Sequence, residues 1–228
     1  MATNNKTPSA QKQKILLAAR KLFYDNGYKN TYFDQIAEIC GITKPLISYY
    51  FKSKSALSRE VTEVYTREIK NTISFRLYKY FYELDFERYD LQVSTAVEIK
   101  IMDRLYLSDE KAMRFLTEKA NDNYEDLFPP NNKPFFEIHD RRYRLDINRE
   151  TDELSMISRA ASACSVGLAI GYANGEFNCT YEQFSDYSAG LHFRLMRIND
   201  ARIEEIISQS NEIIKNIDFE FLPYFTVR

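Results

Sequence analysis

Apolar residues recur at helical spacing along most of the chain, and this periodicity predicts an all-α protein. In the first such segment the apolar positions follow the pattern i, i+3, i+4, i+7, i+8, and Gly27 then suits a helix end. A longer stripe steps by four from Leu57 to Phe81 and predicts a long helix after residue 53. The members of the first stripe are Ile15, Ala18, Ala19, Leu22 and Phe23.

The rest of the chain is also predicted to be helical, with interruptions where prolines, asparagines and glycines cluster. We expect helices over 91–107, 109–127, 154–175 and 201–217, and one more that begins at the capping-box sequence Thr180-x-x-Gln183. Residues 128–134 predict a loop because prolines and asparagines there disfavour helix. Residues 135–150 predict a short helix with irregular ends.

Residues 33–54 have the spacing of a helix-turn-helix. Two short helices that cross steeply need a small residue where they touch and a turn that tolerates a left-handed backbone, and Ala37 and Gly41 meet these needs. The expected inward positions are Ile36, Cys40, Ile42, Ile47 and Tyr50. The expected outward positions, where a recognition helix meets the major groove, are Lys44, Pro45, Leu46, Ser48 and Tyr49.

The residues on both sides of this motif strengthen the interpretation. Downstream, Ser53 is suited to be the N-cap of the long helix, and the helix N-terminus together with the Lys54 ammonium group suits a phosphate. Over roughly residues 10 to 60 the chain resembles the N-terminal domain of the TetR family of transcriptional regulators. The matching residues are Lys21-Leu22-Phe23, Gly27-Tyr28, Thr31, Ile36-Ala37, Gly41-Ile42-Thr43, Tyr50 to Lys54 and Leu57.

The resemblance implies an all-helical homodimer that binds a palindromic double-stranded DNA operator, usually as a repressor. It also implies that DNA is released when a small-molecule effector, unknown here, enters a pocket in the C-terminal part. Phosphate contacts are implied for Tyr50, Lys54 and Thr31, and Thr43 is expected to be the N-cap of the recognition helix and a further phosphate donor.

One part of the recognition helix departs from the family pattern. Many members carry Gly-Thr-Leu-Tyr where this chain has Pro45-Leu46-Ile47-Ser48. Proline is tolerated because the first helical turn has no partner for the missing N–H group. Pro45 and Leu46 would therefore contact thymine methyl groups, whereas Lys44 would reach the acceptors of guanine.

Charge is divided unequally along the chain. Residues 1–60 carry ten Lys and Arg against four Asp and Glu, a net charge of +6, and the remaining residues carry a net charge of −8. A basic segment joined to an acidic one is expected of a protein that meets a polyanion with one end. We therefore predict a three-helix DNA-binding head over residues 1–56 and a larger helical body, for ligand binding and dimerisation, over residues 57–228.

The dimer interface is predicted in the last third of the chain. A seam of small and apolar residues at 3-4 spacing begins at Leu154, and the helix after Thr180 has a similar stripe. Two such helices from each subunit would form a four-helix bundle, although ordinary packing within one chain produces the same pattern. The predicted interface residues are Ile157, Ala161, Cys164, Leu168, Phe184, Leu191 and Leu195.

The chain has 17 Tyr, 16 Phe and no Trp, and most of the aromatic residues lie in the body. Such side chains usually form the core, but a tyrosine-rich helical body also suits a pocket with apolar walls and hydroxyl groups at its rim. Glu98 and Asp103 are near in sequence and would favour a cationic ligand. The candidate pocket residues are Phe75, Tyr78, Met102, Tyr106, Met113, Phe115, Tyr124, Tyr172 and Phe177.

An enzyme is the alternative from another functional class. The two histidines, His139 and His192, are not at metal-binding spacing with another His, Cys or carboxylate, and the sequence has no phosphate-binding loop and no Gly-x-Ser-x-Gly motif. We therefore expect no catalysis, no cofactor and no metal, and a structural role for His192. A further alternative keeps the helix-turn-helix in an activator or a scaffold that needs no ligand.

Composition also bears on location. No uninterrupted apolar run approaches the ~20 residues of a membrane-spanning helix, and residues 1–9 are polar, unlike a signal peptide. The three cysteines, Cys40, Cys164 and Cys179, are far apart and are expected to be buried singly, as small apolar residues. These features predict a cytoplasmic protein without a membrane partner.

Overall fold

A computed structural model describes residues 10–84, 89–127, 133–148 and 150–228. Over these residues the protein is all-α apart from one short hairpin, so the predicted fold class is confirmed. The helices are α1 (Ala10–Asn26), α2 (Phe33–Cys40), α3 (Lys44–Tyr50), α4 (Lys54–Leu84), α5 (Leu91–Leu107), α6 (Glu110–Asp122), α7 (Lys133–Tyr143), α8 (Glu153–Ala173), α9 (Tyr181–Leu195) and α10 (Asp200–Asn216). A 3-10 turn, Tyr124–Leu127, follows α6, and the hairpin has strands β1 (Phe221–Leu222) and β2 (Thr226–Val227).

Helices α1 to α3 surround one small core. Ile15 and Phe23 of α1 are fully buried together with Ile36 of α2 and Ile47 of α3. Gly27 ends α1 with a φ of +80° and donates its N–H to the Phe23 carbonyl at 3.1 Å. The predicted three-helix head is therefore present as one packed unit.

Helix α4 has 31 residues and leads from the head into the body. Its N-cap is Ser53, whose hydroxyl accepts a hydrogen bond from the Ala56 N–H at 3.0 Å, as predicted. The stripe that steps by four is buried along its whole length, which confirms the predicted long helix. Its members are Leu57, Val61, Tyr65, Ile69, Ile73, Leu77 and Phe81.

Helix α5 lies in the middle of the body and packs against α4, α6, α8, α9 and α10. The Asp90 carboxylate caps it by accepting from the Gln92 N–H at 2.8 Å. The predicted capping box of α9 is also present, since Thr180 Oγ1 accepts from the Gln183 N–H at 3.2 Å and Gln183 Oε1 accepts from the Thr180 N–H at 3.0 Å. These caps explain why both helices begin where the sequence predicted.

The predicted ends of one helix and one loop differ from the observed ones. The helix expected over 109–127 ends at Asp122, because the Asn123 side chain accepts from the Glu125 N–H at 3.3 Å and favours a turn. The predicted loop over 128–134 falls largely on residues 128–132, which lie outside the described residues. Pro134 instead stands in the first turn of α7, where its missing N–H costs nothing.

The last described segment was not predicted. Strands β1 and β2 pair antiparallel in the register Phe221 to Val227 and Leu222 to Thr226. The pairing continues at Glu220 and Arg228, whose backbones exchange hydrogen bonds of 2.9 and 3.0 Å. We call residues 220–228 the hairpin.

Helix α8 is long and apolar enough to cross a membrane by length and composition alone. Helices inside a protein core pass the same test, yet only about a third of its apolar window is buried in this chain. Much of an apolar helix is thus left uncovered by the chain itself.

The cysteines follow the prediction in part. All three are free thiols. Cys40 is buried as expected, and burial raises the pKa of its thiol. Cys164 is exposed, so the prediction of burial is wrong for this residue: it stands on the uncovered side of α8.

Candidate nucleic-acid interface

The turn between α2 and α3 sets the angle of the helix-turn-helix. Gly41 has a φ of 62° and a ψ of 39°, in the left-handed region, and its N–H donates to the Glu38 carbonyl at 3.1 Å. The next amide, of Ile42, donates to the Ala37 carbonyl at 3.0 Å. Apart from Gly41 itself and its adjoining backbone, the described residues place no atom within 4 Å of where a Cβ would stand, so backbone conformation rather than crowding favours glycine here.

Helix α1 holds the end of α2 in place. Lys14 Nζ donates to the Cys40 carbonyl at 2.8 Å, and Cys40 Sγ donates to the Lys14 carbonyl at 3.6 Å. The positive charge of a lysine at a helix C-terminus is also stabilised by the negative end of the helix dipole. The two helices of the motif are therefore fixed on a third helix before any DNA is met.

The outward face of α3 is the surface predicted to meet DNA bases. Ile47 is fully buried, whereas Lys44, Pro45 and Ser48 are exposed and the Tyr49 ring is 81% exposed. The structure thus brings these predicted positions onto one open face. The fifth predicted position, Leu46, is half-buried at the edge of this face.

Lys44 is already paired in the protein without DNA. Its Nζ lies 2.9 Å from Asp34 Oδ2, and the two side chains are 55% and 69% exposed. An ion pair this open to water contributes at most about 1 kcal/mol. Lys44 can therefore exchange Asp34 for a base or a phosphate at little cost.

The two predicted threonines occupy different environments. Thr43 is exposed at the N-cap position of α3, and its side chain makes no capping hydrogen bond, so the hydroxyl is available. Thr31 is fully buried, and its hydroxyl donates to the Gly27 carbonyl at 2.7 Å. The Thr31 side chain therefore closes the loop after α1, and the expected contact with the DNA backbone does not fit this conformation.

The two remaining predicted phosphate residues lie near each other in sequence. Tyr50 is half-buried, and its ring packs edge-on against Tyr49 with centroids 5.5 Å apart. Lys54 Nζ donates to the Tyr28 and Lys29 carbonyls at 2.9 and 3.2 Å and lies 4.5 Å from the Tyr28 ring centroid. Burial lowers the pKa of Lys54, while Asp122 and Glu118 of α6 favour its charged form.

Tyr32 is a surface residue that sequence reasoning missed. Its ring is exposed, and the Lys54 Nζ lies 5.5 Å from the ring centroid. Its N–H donates to Gln35 Oε1 at 2.8 Å, which fixes the residue at the start of α2. The signal in the sequence was its place directly before the first motif helix.

Helix α6 connects the body to the C-terminal end of α1. Tyr24 donates to Asp109, just before α6, at 2.7 Å, and Tyr28 donates to Asp122, at the end of α6, at 2.6 Å. Between them the Lys29 N–H donates to Glu118 Oε2 at 2.7 Å. Three hydrogen bonds thus tie the end of α1 and the following loop to α6 and the residue before it.

Asp126 in the 3-10 turn links the body to the start of α4. Its carboxylate accepts from Ser55 and, at 2.5 Å, from Arg59. These partners and the nearby Lys119 lower the pKa of Asp126 although burial opposes them. Lys119 itself is buried, and burial lowers its pKa to about 8.

Both histidines are buried and hydrogen-bonded. His192 Nε2 lies 3.2 Å from Ser165 Oγ and Nδ1 lies 3.3 Å from the Ser188 carbonyl, while His139 lies within hydrogen-bonding distance of Thr95. Burial lowers the pKa of His192 to about 4. The structural role predicted for His192 is confirmed, and the described residues contain no group of three His, Cys, Asp or Glu arranged to hold a metal.

The nine candidate pocket residues are not brought together. Phe75 and Tyr78 point outward from α4 and are 67% and 53% exposed, and Tyr124 and Phe177 are also exposed. Phe115 is fully buried at the contact between α6 and α1, 5.4 Å from the Phe23 ring. The half-buried residues inside the body are Met102 and Tyr106 on α5, Met113 on α6 and Tyr172 on α8.

The predicted dimer residues also fall into two groups. Ile157, Ala161 and Phe184 are buried inside their own chain, so their side chains are not on a surface of this fold. Cys164 is exposed, and Leu168, Leu191 and Leu195 are half-buried. The uncovered side of α8 and the outer side of α9 therefore include Cys164 of the predicted set and several positions that were not predicted, Met156, Gly167 and Tyr187 among them.

The sequence of the head matches a known family. Residues 15–61 fit the model of bacterial regulatory proteins of the tetR family. The HTH-type transcriptional regulator RutR of Escherichia coli (strain K12) is 38% identical over 66 residues, which are 27% of this chain and 31% of RutR. RutR of Shigella flexneri gives the same figures. The chain thus spans about a third of the length of the curated relatives it matches.

The whole fold resembles solved structures of related architecture. RolR in complex with its ligand resorcinol superposes with a TM-score of 0.57 and 18% identity, over 87% of this chain and 93% of RolR. A tetR-family transcriptional regulator from Streptomyces coelicolor superposes with a TM-score of 0.50 and 13% identity, over 92% and 90% of the two chains. At such identities the likeness shows the fold, and it extends through the body as well as the head.

Proposed function

We infer that this chain, a TetR-family protein by its residues 15–61 and its helical fold, regulates transcription as a homodimer that binds a palindromic operator. The single observation that carries the proposal is the open outward face of α3, with Tyr49 at its centre, on a head of net charge +6. Repression is the expected outcome, and the cytoplasm, where bacterial DNA lies, is the expected location. The proposed head and body meet after residue 56, within the first turn of α4.

Base recognition is assigned to Lys44, Pro45, Leu46, Ser48 and Tyr49. Two heads related by a two-fold axis would place these residues in successive major grooves about 34 Å apart. Phosphate contacts are assigned to Thr43, Tyr50 and Lys54, and these contacts fix the register without carrying sequence information. Thr31 is left out because its hydroxyl is already bonded inside the head.

Dimerisation is assigned to α8 and α9 because α8 presents an apolar side that its own chain leaves uncovered. Met156 is 62% exposed, and Cys164 and Gly167 are exposed on the same helix. Tyr187 of α9 is also exposed. A second copy would cover this surface, which supports a four-helix interface centred on the outer residues rather than on the buried ones.

Effector binding is assigned to the interior of the body near Asp103 of α5. Its Oδ2 is buried, and no described residue donates a hydrogen bond to it. Burial raises the pKa of Asp103 to about 7, although Ser188 and Lys100 favour its charged form. Met102 and Tyr106 stand on the same helix, half-buried. A cationic group or a hydrogen-bond donor would satisfy this carboxylate.

The mechanism is a shift between two conformations of the body. An effector weakens DNA binding only by the difference between its affinities for the two conformations. Helix α6 is suited to transmit the change because its residues hold Tyr28 and Lys29 of the head.

Selection of bound DNA from a random pool with the purified protein tests the function. A palindromic site with two half-sites one helical turn apart is the expected result. The proposal would be contradicted if no DNA sequence were enriched even at low ionic strength, or if the protein stayed monomeric. The alternatives are then a scaffold or an enzyme.

A thermal-shift screen at pH 8 tests the effector site. Cationic compounds are expected to raise the melting temperature of the wild type more than neutral analogues of the same shape, since a ligand of the folded state stabilises it. The preference should vanish in Asp103→Asn, which keeps the shape of the side chain without its charge. An unchanged preference would place the site elsewhere.

A further inference from the structure

We propose that the hairpin, residues 220–228, is a releasable clamp that fixes the orientation of the DNA-binding head. The proposal rests on the DNA-binding function inferred above. The hairpin follows α10 of the body, yet its turn lies against α1 of the head, since the Tyr224 and Tyr24 rings are 5.1 Å apart. It therefore forms a further connection between body and head, in addition to α4 and to the contacts from α6.

Phe225 fills a socket to which both parts of the molecule contribute. Its side chain is almost fully buried, and its ring stacks on Tyr65 of α4 with centroids 4.8 Å apart. Tyr24 of α1, Phe115 of α6 and Tyr106 of α5 complete the socket, at 5.4, 5.1 and 6.4 Å. One side chain of the hairpin thus touches α1 and three helices that extend into the body.

Arg20 of α1 binds the backbone of the hairpin. Its Nε donates to the Tyr224 carbonyl at 2.6 Å, and Nη2 donates to the Phe225 carbonyl at 2.8 Å and to Thr226 Oγ1 at 3.2 Å. Nη1 donates to Glu68 of α4 at 2.5 Å. The planar guanidinium presents its donors in a fixed fork, so these partners define one position of the hairpin.

The turn of the hairpin is strained. Tyr224 and Phe225 have φ values of 62° and 54°, in the left-handed region that side chains with a Cβ rarely adopt. Such strain persists only where surrounding contacts compensate for it. The socket and Arg20 supply those contacts, so a hairpin that left them would relax.

A cavity lies beside the turn of the hairpin. It has a volume of about 150 Å³ and is lined by Leu222, Pro223 and Phe225 of the hairpin and by Leu105 and Ala112 of the body. The turn therefore has space beside it into which Phe225 can move. A side chain that is held against backbone strain next to such a space is suited to release.

Release would change how the head is held. With the hairpin seated, Phe225 joins Tyr24 of α1 to α4, α5 and α6, and Arg20 of α1 holds the backbone of the hairpin. Without it, α1 loses these contacts and keeps the Arg20–Glu68 ion pair with α4 and the hydrogen bonds from α6 to its C-terminal end. Two heads that must meet half-sites at a fixed distance would then have to be ordered on binding, which weakens affinity for the operator.

The test uses full-length Phe225→Ala, Phe225→Leu and Arg20→Gln, with Phe177→Ala, an exposed phenylalanine outside the socket, as the matched control. Operator affinity is expected to fall about tenfold in Phe225→Ala and Arg20→Gln, within the usual range for coupling between two sites. Phe225→Leu should be intermediate because it retains part of the apolar contact. Hydrogen exchange should accelerate in residues 10–26 and stay unchanged in residues 153–216.

Unchanged operator affinity together with unchanged exchange in residues 10–26 would overturn the clamp. Faster exchange throughout the body would overturn it too, since Phe225 would then serve overall stability. If the wild type selects no DNA, the proposed function fails while the exchange measurement still decides whether the hairpin restrains the head. A loss of affinity in Phe177→Ala equal to that in Phe225→Ala would likewise count against a specific socket.

Discussion

At the scale of single residues, Lys54 combines two tasks. Its ammonium group has three N–H donors, and two of them already bind the Tyr28 and Lys29 carbonyls at the end of α1. The third is left for a phosphate. The same lysine therefore shapes the loop that leads into the motif and serves as a proposed DNA contact.

Lys54→Ala is expected to weaken binding to all DNA sequences alike and to reduce the salt slope by about one phosphate contact. The free energy of unfolding should also fall by about 1–2 kcal/mol, since two hydrogen bonds to backbone carbonyls are lost. Anisotropy titrations over a salt series and chemical denaturation measure the two effects. Lys52→Ala, at an exposed neighbour, is the control, and a loss confined to the selected operator would argue against a phosphate role.

Lys44→Ala and Tyr49→Ala are expected to alter which sequences are preferred, because both side chains stand on the open face of α3. A good base contact contributes about 1–3 kcal/mol of discrimination. Repeating the DNA selection with each variant measures the change. Tyr82→Ala, at an exposed tyrosine of α4, is the control and should leave the preferred sequence unchanged. An unchanged preference in the Lys44 and Tyr49 variants would show that α3 does not read bases.

His192 predicts a pH dependence of stability. Its pKa is about 4 in the folded protein and 6.5 as a reference, so the unfolded chain binds the proton more tightly. Stability from this residue is complete above pH 6.5 and is lost as pH falls toward 4, by up to about 3 kcal/mol. Between pH 6.5 and pH 4, the free energy of unfolding measured by chemical denaturation should fall less steeply in His192→Gln than in the wild type. An equal dependence on pH in both proteins would show that other groups cause the loss.

At the scale of elements, α8 has two different sides. One side packs Ile157 and Ala161 into the body, and the other leaves Cys164 and Met156 uncovered. The stripe predicted from the sequence mixed the two sides, since Ile157 and Ala161 face the body whereas Cys164 lies on the uncovered side. The apolar period of a helix shows that a side must be covered, but not whether the same chain or another one covers it.

Cys164→Glu is therefore expected to shift the protein toward the monomer, since a charge would be buried in the proposed interface. The fold of each subunit should be retained because the position is exposed. Sedimentation velocity and circular dichroism check the two statements. Ser208→Glu, on the exposed side of α10, is the control, and a dimer as stable as that of the wild type would move the interface elsewhere.

The sequence was sufficient to predict elements with a regular apolar spacing, but it was not sufficient to predict contacts between distant segments. The helix-turn-helix, the stripe of α4 and the capping box of α9 follow from local spacing and are present. The hairpin has strands of two residues, too short for an alternating pattern, and it contains a proline. Phe115 was assigned to a pocket because nothing near it in sequence shows that Phe225 packs against its ring.

At the scale of the whole molecule, the division of charge coincides with the division of the fold into head and body. The basic segment is the head, and the acidic remainder forms the body whose architecture is shared with RolR. Such a field orients the protein before contact, with the head toward a polyanion and the body away from it. Approach to DNA should therefore depend on salt more strongly than association between bodies.

Raising the salt from about 50 to about 200 mM is expected to slow association with DNA markedly while the monomer–dimer equilibrium changes little. Stopped-flow association rates and sedimentation at both concentrations measure the two quantities. If the monomer–dimer equilibrium depended on salt as strongly as DNA association does, the charge of the bodies would contribute as much as that of the head. The head would then not be the part that responds to salt.

The 31 residues of α4 form one rigid lever through the boundary between head and body. At 1.5 Å per residue it is about 46 Å long, so a tilt of about 5° at its far end would carry the near end sideways by about 4 Å. In the proposed dimer, two such helices tilting in opposite directions would double that displacement between the two α3 helices. A small rearrangement near the distal end would thus be amplified into a misfit with two major grooves whose spacing is fixed.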